Sequence, residues 1–229
     1  MKIMVFDTET TGLPKSRKSL LENTEEWPFI VQLSWLTYDT ETSTICSMSD
    51  NIIRLPEGFI IDPICVKIHG ITSEMSQTKG INRYAALIKF MDEFEKADLV
   101  IAHNMDFDKN GMLVELIREK NERNNSVDNY YIESRIMMLL RSTKLGCTMQ
   151  DGMNLCNIIA TYKNSPKKYV KFPTLGELHN RCFGFVPKKL HNSLNDSVVC
   201  LRCFYQMRFN KDITLENEQF REMVELLRP

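Results

Sequence analysis

Lys2-Ile3-Met4-Val5-Phe6-Asp7-Thr8-Glu9-Thr10-Thr11-Gly12-Leu13-Pro14 is the stretch on which the fold turns. Four apolar residues in a row followed by alternating Asp-Thr-Glu-Thr predict a strand over Lys2–Glu9, buried along its first half. Thr11-Gly12-Leu13-Pro14 predicts the turn that ends it. Side chains two apart on a strand share a face, so Asp7 and Glu9 project together from the strand's end. Two carboxylates placed that close repel, and one holds its proton more tightly unless a cation sits between them. The plain alternative is two solvated acids on an open face, and the apolar run just before them argues against it.

Working outward, Lys15–Trp27 is polar and reads as a surface loop. Phe29–Tyr38 and Thr44–Leu55 read as a second and third strand, and three strands with short connections predict an antiparallel meander. Helical spacing of Leu87, Ile88, Met91 and Phe94 predicts a helix over Arg83–Ala97. Leu99–Ala102 is a short buried strand, and Gly111–Arg123 a helix with Leu113, Leu116 and Ile117 on one face. Tyr131–Leu140 is long enough for a helix. Cys147–Met153 is expected as a fifth strand, with helices over Leu175–Cys182 and Asp196–Met207. Asn210–Pro229 reads as a terminal helix packed on its own domain. Strands first and helix–strand–helix units after them predict an α/β three-layer domain built on a mixed sheet.

The chain has 229 residues, 43% hydrophobic and 26% charged, which disfavours disorder, collagen and coiled coil. No apolar run reaches the roughly 18 residues that span a bilayer, so no membrane is expected. The N-terminus lacks the apolar region and cleavage site of a signal peptide, and seven cysteines without a secretory signal read as reduced thiols. An intracellular protein, cytoplasmic or nuclear, is expected. Cys200 and Cys203 form a C-x-x-C pair with no second pair at zinc-finger spacing, so two small buried thiols on a helix explain them better than a zinc site. Twenty-nine basic residues against thirty acidic ones give a net charge of −1, which does not advertise nucleic-acid binding. The distribution says more. Thr161–Leu190 holds seven Lys/Arg (Lys163, Lys167, Lys168, Lys171, Arg181, Lys188 and Lys189) against Glu177 alone.

Two further polar clusters stand where a site is expected. His103-Asn104-Met105-Asp106-Phe107-Asp108 follows the short buried strand and opens a helix. Polar residues at the carboxyl end of a sheet strand are where α/β folds place ligands, although either acid also serves as a helix cap. His191-Asn192-Ser193-Leu194-Asn195-Asp196 stands before another helix. There a histidine and an acid can supply a general base and a metal ligand in one local unit. Each signal alone is modest; three in order, each at a strand end or helix start, are far more specific.

These residues resemble the motifs of the DEDDh 3′–5′ exonucleases, the DnaQ-like proofreading family. The first motif stands as Asp7-Thr8-Glu9-Thr10-Thr11-Gly12-Leu13. The second stands as His103-Asn104-Met105-Asp106-Phe107-Asp108, with Asp108 as the motif acid. The third stands as His191-Asn192-Ser193-Leu194-Asn195-Asp196, with Ser193 where the family usually has alanine. His69-Gly70-Ile71-Thr72 and Lys171–Leu178 are similar to segments that accompany the motifs. The likeness covers roughly residues 1–208.

The resemblance implies an α/β, ribonuclease-H-like three-layer fold with a five-stranded mixed sheet and helices on both faces. Residues 1–209 would form the exonuclease domain and 210–229 a C-terminal helical tail. It implies two divalent cations, Mg²⁺ or Mn²⁺, held by Asp7, Glu9, Asp108 and Asp196, with His191 as the general base. Thr10 and Leu13 would touch the terminal nucleotide, His69 and Phe107 would shape its pocket, and Lys167, Lys168 and Lys188 would meet phosphates. The expected partners are single-stranded DNA or RNA 3′ ends, with DNA ahead. With no room for a polymerase, a proofreading role would make the chain a partner of a polymerase or of another replication or repair protein. An exoribonuclease of the same family and a nuclease-inactive nucleic-acid-binding module are the alternatives.

Overall fold

Ile3–Phe6 are fully buried, so the first strand needs cover on both faces, and the chain supplies it. The computed structural model describes residues 1–123, 127–163 and 165–229. Its strands are β1 (Lys2–Thr10), β2 (Ile30–Asp39), β3 (Thr44–Ile52), β4 (Leu99–Ala102) and β5 (Leu145–Cys147), in the spatial order β3-β2-β1-β4-β5. The β1–β2 and β2–β3 pairs are antiparallel, as the meander predicts, and β1–β4 and β4–β5 are parallel. A separate hairpin pairs β6 (Ile159–Thr161) with β7 (Lys168–Val170).

The helices are α1 (Pro63–His69), α2 (Ser73–Lys79), α3 (Arg83–Lys96), α4 (Met105–Glu122), α5 (Val127–Leu140), α6 (Thr148–Asp151), α7 (Met153–Cys156), α8 (Leu175–Phe183), α9 (Ser193–Phe209) and α10 (Glu218–Glu225). Met4 and Phe6 point to one side of the sheet, where α3, α4 and α5 cover them through Phe90, Met112 and Ile132. Phe90 meets Phe6 and Trp35 edge to face at 4.9 and 5.8 Å. Ile3 and Val5 point to the other side, into a core with α8, α9 and α10. Each large side chain so buried contributes about 1.5–3 kcal/mol, and the two cores fix the sheet between two helical layers. No described helix is long and apolar enough to cross a membrane.

Three expectations change. Cys147–Met153 is not the fifth strand: β5 is Leu145–Cys147, and the chain turns helical at Thr148, whose buried hydroxyl donates to His103 Nδ1. The helix expected from Gly111 starts at Met105, because the turn into it is made by Asn104 at a left-handed φ of 76°. The C-terminal segment is broken rather than continuous. Asp212 caps a short turn over Ile213–Leu215, Asn217 caps α10, and the Asn217 amide also donates to the Ser43 carbonyl. Phe220, Val224 and Leu227 complete the second core.

Arg118 fixes the long loop between β1 and β2. Its guanidinium donates to the carbonyls of Thr24, Trp27 and Pro28, and to Glu115, which in turn accepts from the Ile30 N–H. The loop that carries Leu13 is thereby tied to α4.

Candidate active site

β1 outruns its parallel neighbour. Its pairing with β4 ends at Val5↔Ile101, so Asp7, Thr8 and Glu9 stand past the end of β4 while still pairing with β2. Asp7 lies opposite Ser34 and Glu9 opposite Gln32. The Thr8 N–H and hydroxyl, freed from β4, both donate to Asp108 Oδ1 at 3.0 and 2.7 Å. That pair of bonds brings the first turn of α4 against the end of β1.

A second set of bonds brings in α9. Asp50 Oδ1 accepts from Gln32 Nε2 and from the Ser34 hydroxyl, each at 2.7 Å. With its one hydrogen given to Asp50, the Ser34 oxygen accepts from Ser193 at 2.5 Å. Gln32 Oε1 accepts from the Ser193 N–H at 3.2 Å. The first residue of α9 is thus docked on β2, and Asp196, one turn on, is brought over β1. The hydroxyl at the one departure from the family pattern therefore has a partner.

Asp196 Oδ2 accepts from the His191 N–H at 3.1 Å, and its Oδ1 is buried with no partner. His191 is exposed and takes a left-handed φ of 66°, two residues after Lys189 at 58°. This backbone is uncommon for residues other than glycine, and it carries the imidazole back toward the acids. Ligand atoms of Glu9, His191 and Asp196 all lie within 4.8 Å of one another.

The electrostatics agree with that geometry. Burial, then the charges of Asp108, Asp196 and Glu9, pushes the Asp7 carboxyl well above the usual range. Burial, with Asp196 and Asp108 adding to it, raises Glu9 to about 8. Asp108 and Asp196 both rise to about 7 through burial, against the lowering effect of the Thr8 hydroxyl and N–H on Asp108 and of the His191 N–H on Asp196. None of the four forms an ion pair with a basic side chain among the described residues. Buried like charges without a counter-ion are costly. A hard divalent cation with oxygen ligands would remove that cost, and the unpartnered Asp196 oxygen fits one. Asp108 and Asp196 also sit in the first turns of their helices, where the positive end of the helix dipole favours negative charge.

The remaining expected residues fall at different places. Thr10 closes on the Gly12 carbonyl at 2.7 Å, and Leu13 beyond it is 80% exposed. His69 ends α1 and its Nδ1 accepts from the Ile71 N–H, while Nε2 is buried and unpartnered. Burial lowers its pKa, and the Thr10 backbone beside the ring offsets part of that. Gly70 follows at a φ of 77°, a left-handed cap that a side chain would strain. Phe107 is half-buried in the first turn of α4. Lys167 and Lys168 are exposed on the β6–β7 hairpin, and Lys188 is exposed in the loop before His191, its N–H held by the Leu227 carbonyl.

The sequence reading did not single out Gln32, Ser34 or Asp50. The signal was there: two polar residues, i and i+2, inside the buried run Ile30–Trp35, opposite the two acids of β1. His103 proves to be a brace. Its Nε2 donates to the Pro173 carbonyl at 3.1 Å and its Nδ1 accepts from Thr148 at 2.9 Å, and burial pushes its pKa down to about 4.

No protein-family profile matches the chain, and no curated protein matches it in sequence. Solved structures do. E. coli exonuclease I in complex with a dT13 oligonucleotide superposes with a TM-score of 0.61 at 13% identity, over 91% of this chain and 42% of that one. The zinc-ion-bound form of the E. coli enzyme with single-stranded DNA gives 0.59 at 14% identity, over 90% and 41%. A product-bound exonuclease I gives 0.59 at 13%, over 93% and 45%. The chain spans less than half the length of these solved proteins. The likeness shows the fold, a ribonuclease-H-like α/β fold with a five-stranded mixed sheet.

Proposed function

We propose that the protein is a metal-dependent 3′–5′ exonuclease acting on single-stranded nucleic acid, with DNA favoured, and that it releases nucleoside 5′-monophosphates. The observation that carries this reading is the meeting of Glu9, His191 and Asp196 within 4.8 Å, in a field shared with Asp7 and Asp108. The oligonucleotides bound to the E. coli enzyme of the same fold support a single strand as the substrate.

Asp7, Glu9 and Asp196 would hold one divalent cation, and Asp7 and Asp108 a second. Bound there, two such ions, Mg²⁺ or Mn²⁺, supply charge relief at the phosphoryl oxygens and a more acidic water. His191, exposed and tethered to Asp196 through its own N–H, accepts the proton of the attacking water. The water oxygen bonds to phosphorus, and the bond to the 3′-oxygen of the preceding nucleotide breaks. The shortened strand keeps a 3′-hydroxyl and the last nucleotide departs with its 5′-phosphate. Leu13 presents apolar surface to the last base, the Thr10 backbone meets the 3′-hydroxyl, and His69 and Phe107 shape the pocket around the terminal nucleotide. Lys167, Lys168 and Lys188 offset phosphate charge without reading bases. Seven free thiols suit a reducing, intracellular setting.

The test is a 5′-labelled single-stranded DNA incubated with Mg²⁺ or Mn²⁺. The proposal expects a ladder shortening one nucleotide at a time from the 3′ end, a circular strand left intact, and loss of cutting in Asp7→Ala and His191→Ala. No cutting by the unaltered protein, or cutting of the circle, would overturn it. Matched RNA in the same assay ranks the two sugars.

A further inference from the structure

Between Cys156 and Thr174 the chain leaves the main sheet and builds the β6–β7 hairpin. Ile159, Ala160 and Thr161 pair with Val170, Tyr169 and Lys168. The Tyr162 N–H donates to the Lys167 carbonyl and the Lys171 N–H to the Ile158 carbonyl, extending the ladder one step each way. Alternation then places Tyr162, Lys167, Tyr169 and Lys171 on one face, with small Ala160 among them. The two tyrosine rings lie together, centroids 4.4 Å apart at 36°, yet remain 53% and 39% exposed.

Around the rings the charge is positive. Lys171 is paired to Glu177 at 2.7 Å. Lys163, Lys167 and Lys168 are exposed, and no described acid pairs with them. A cross-strand aromatic pair adds about 0.5–1.5 kcal/mol to a hairpin. That accounts for the contact between the rings. It does not account for two open aromatic faces that share their side of the hairpin with an unpaired Lys167, Lys168 lying on the other side.

The hairpin is anchored to the candidate site. Its exit reaches Pro173, whose carbonyl accepts from His103. His103 follows β4 and leads directly into α4, the helix of Asp108. Cys200 of α9 and Thr148 of α6 lie 3.3 Å apart and complete the brace.

We infer that the β6–β7 hairpin is a stacking rail for the single strand that feeds the pocket. Bases upstream of the 3′ end stack on Tyr162 and Tyr169, and their phosphates run past Lys167 on the same face. The inference rests on the exonuclease reading and adds the path of the strand outside the pocket. Every base has a π-face, so this grip is indifferent to sequence, weakens with salt and grows with strand length.

Fluorescence anisotropy in an Asp7→Ala background, with Mn²⁺ and an oligothymidylate of about 20 nucleotides, longer than an ordinary single-strand site, reads the rail directly. The pair Tyr162→Leu/Tyr169→Leu, which keeps apolar bulk and removes the rings, is expected to bind about 10- to 100-fold more weakly. Tyr162→Phe/Tyr169→Phe, which keeps the stack, binds like the parent. Lys167→Gln lowers the slope of log affinity against log salt by about 0.7, the amount one phosphate contact contributes. The rail is overturned if the Leu pair binds within about twofold of the parent, where loss of even one stacked base costs more. It is equally overturned if the Phe pair loses as much as the Leu pair. Cleavage by the unaltered protein is scored separately. Cleavage together with unchanged binding in the Leu pair rejects the rail and leaves the exonuclease standing. No cleavage, with binding lost in the Leu pair, rejects the exonuclease and keeps the hairpin as a nucleic-acid surface.

Discussion

Glu9→Gln is expected to make the metal-free protein more stable while destroying its activity. In the folded chain Glu9 holds its proton up to about pH 8, against an ordinary 4.5, because it is buried beside Asp196 and Asp108. Between those two values the folded state binds more proton than the unfolded state. Metal-free stability therefore falls as pH rises through this window and levels off above it. At about 1.4 kcal/mol per pH unit, the raised affinity of Glu9 for its proton costs the fold about 4 kcal/mol at pH 8 and about 2 kcal/mol at pH 6, where the unfolded chain would release that proton. Glutamine has nearly the same shape and no charge, so it escapes that cost. For a chain of this size 1 kcal/mol moves the midpoint by roughly 2–4 °C, so the gain at pH 8 is on the order of 10 °C. The assay is thermal unfolding of both proteins in EDTA at pH 6 and pH 8, repeated with Mn²⁺. The variant melts higher in EDTA, by more at pH 8 than at pH 6, and Mn²⁺ closes or reverses the gap because only the parent gains a full ligand set. Equal melting of the two proteins in EDTA at pH 8, or an advantage that does not change with pH, would refute the reasoning.

Thr8→Val removes the hydroxyl that orients Asp108. It is expected to raise the Mn²⁺ concentration for half-maximal cleavage by about 10-fold, as loss of a ligand's hydrogen-bond partner does elsewhere, measured by metal titration of initial rates. Asp50→Ala strips the shared acceptor from Gln32 and Ser34. It is expected to cost about 2–3 kcal/mol by urea unfolding and to lower cleavage with it, because the start of α9 loses its dock. Arg118→Ala leaves the Thr24, Trp27 and Pro28 carbonyls without their donor and Glu115 with Arg83 as its remaining counter-ion, a loss of about 3 kcal/mol, seen as a lower urea midpoint.

What could be read from the residues alone was what repeats locally. Asp7 and Glu9 announced themselves because a period of two sits on top of an apolar run, and the three-strand meander followed from the same logic. The start of α4 was hidden because Asp106, Asp108, Lys109 and Asn110 mask the apolar period until Gly111, and only the left-handed turn at Asn104 sets where the helix begins. The Gln32–Asp50–Ser34–Ser193 network was invisible for a different reason. Its members come from three separate segments, and only strand register brings them together. The β6–β7 hairpin lies in a lysine-rich stretch with little apolar alternation, so its pairing shows only in three dimensions. The break before α10 depends on an Asn217 bond to Ser43, across most of the chain.

The central claim is that five side chains, distant in sequence, share cations at the end of β1. Anomalous scattering from crystals grown with Mn²⁺ and a nucleoside 5′-monophosphate measures it directly. The account predicts manganese peaks with Asp7, Glu9 and Asp196 as ligands, a second near Asp108, and the nucleotide's phosphate beside His191. Saturating Mn²⁺ that leaves these carboxylates bare, or binds only elsewhere on the chain, would contradict it.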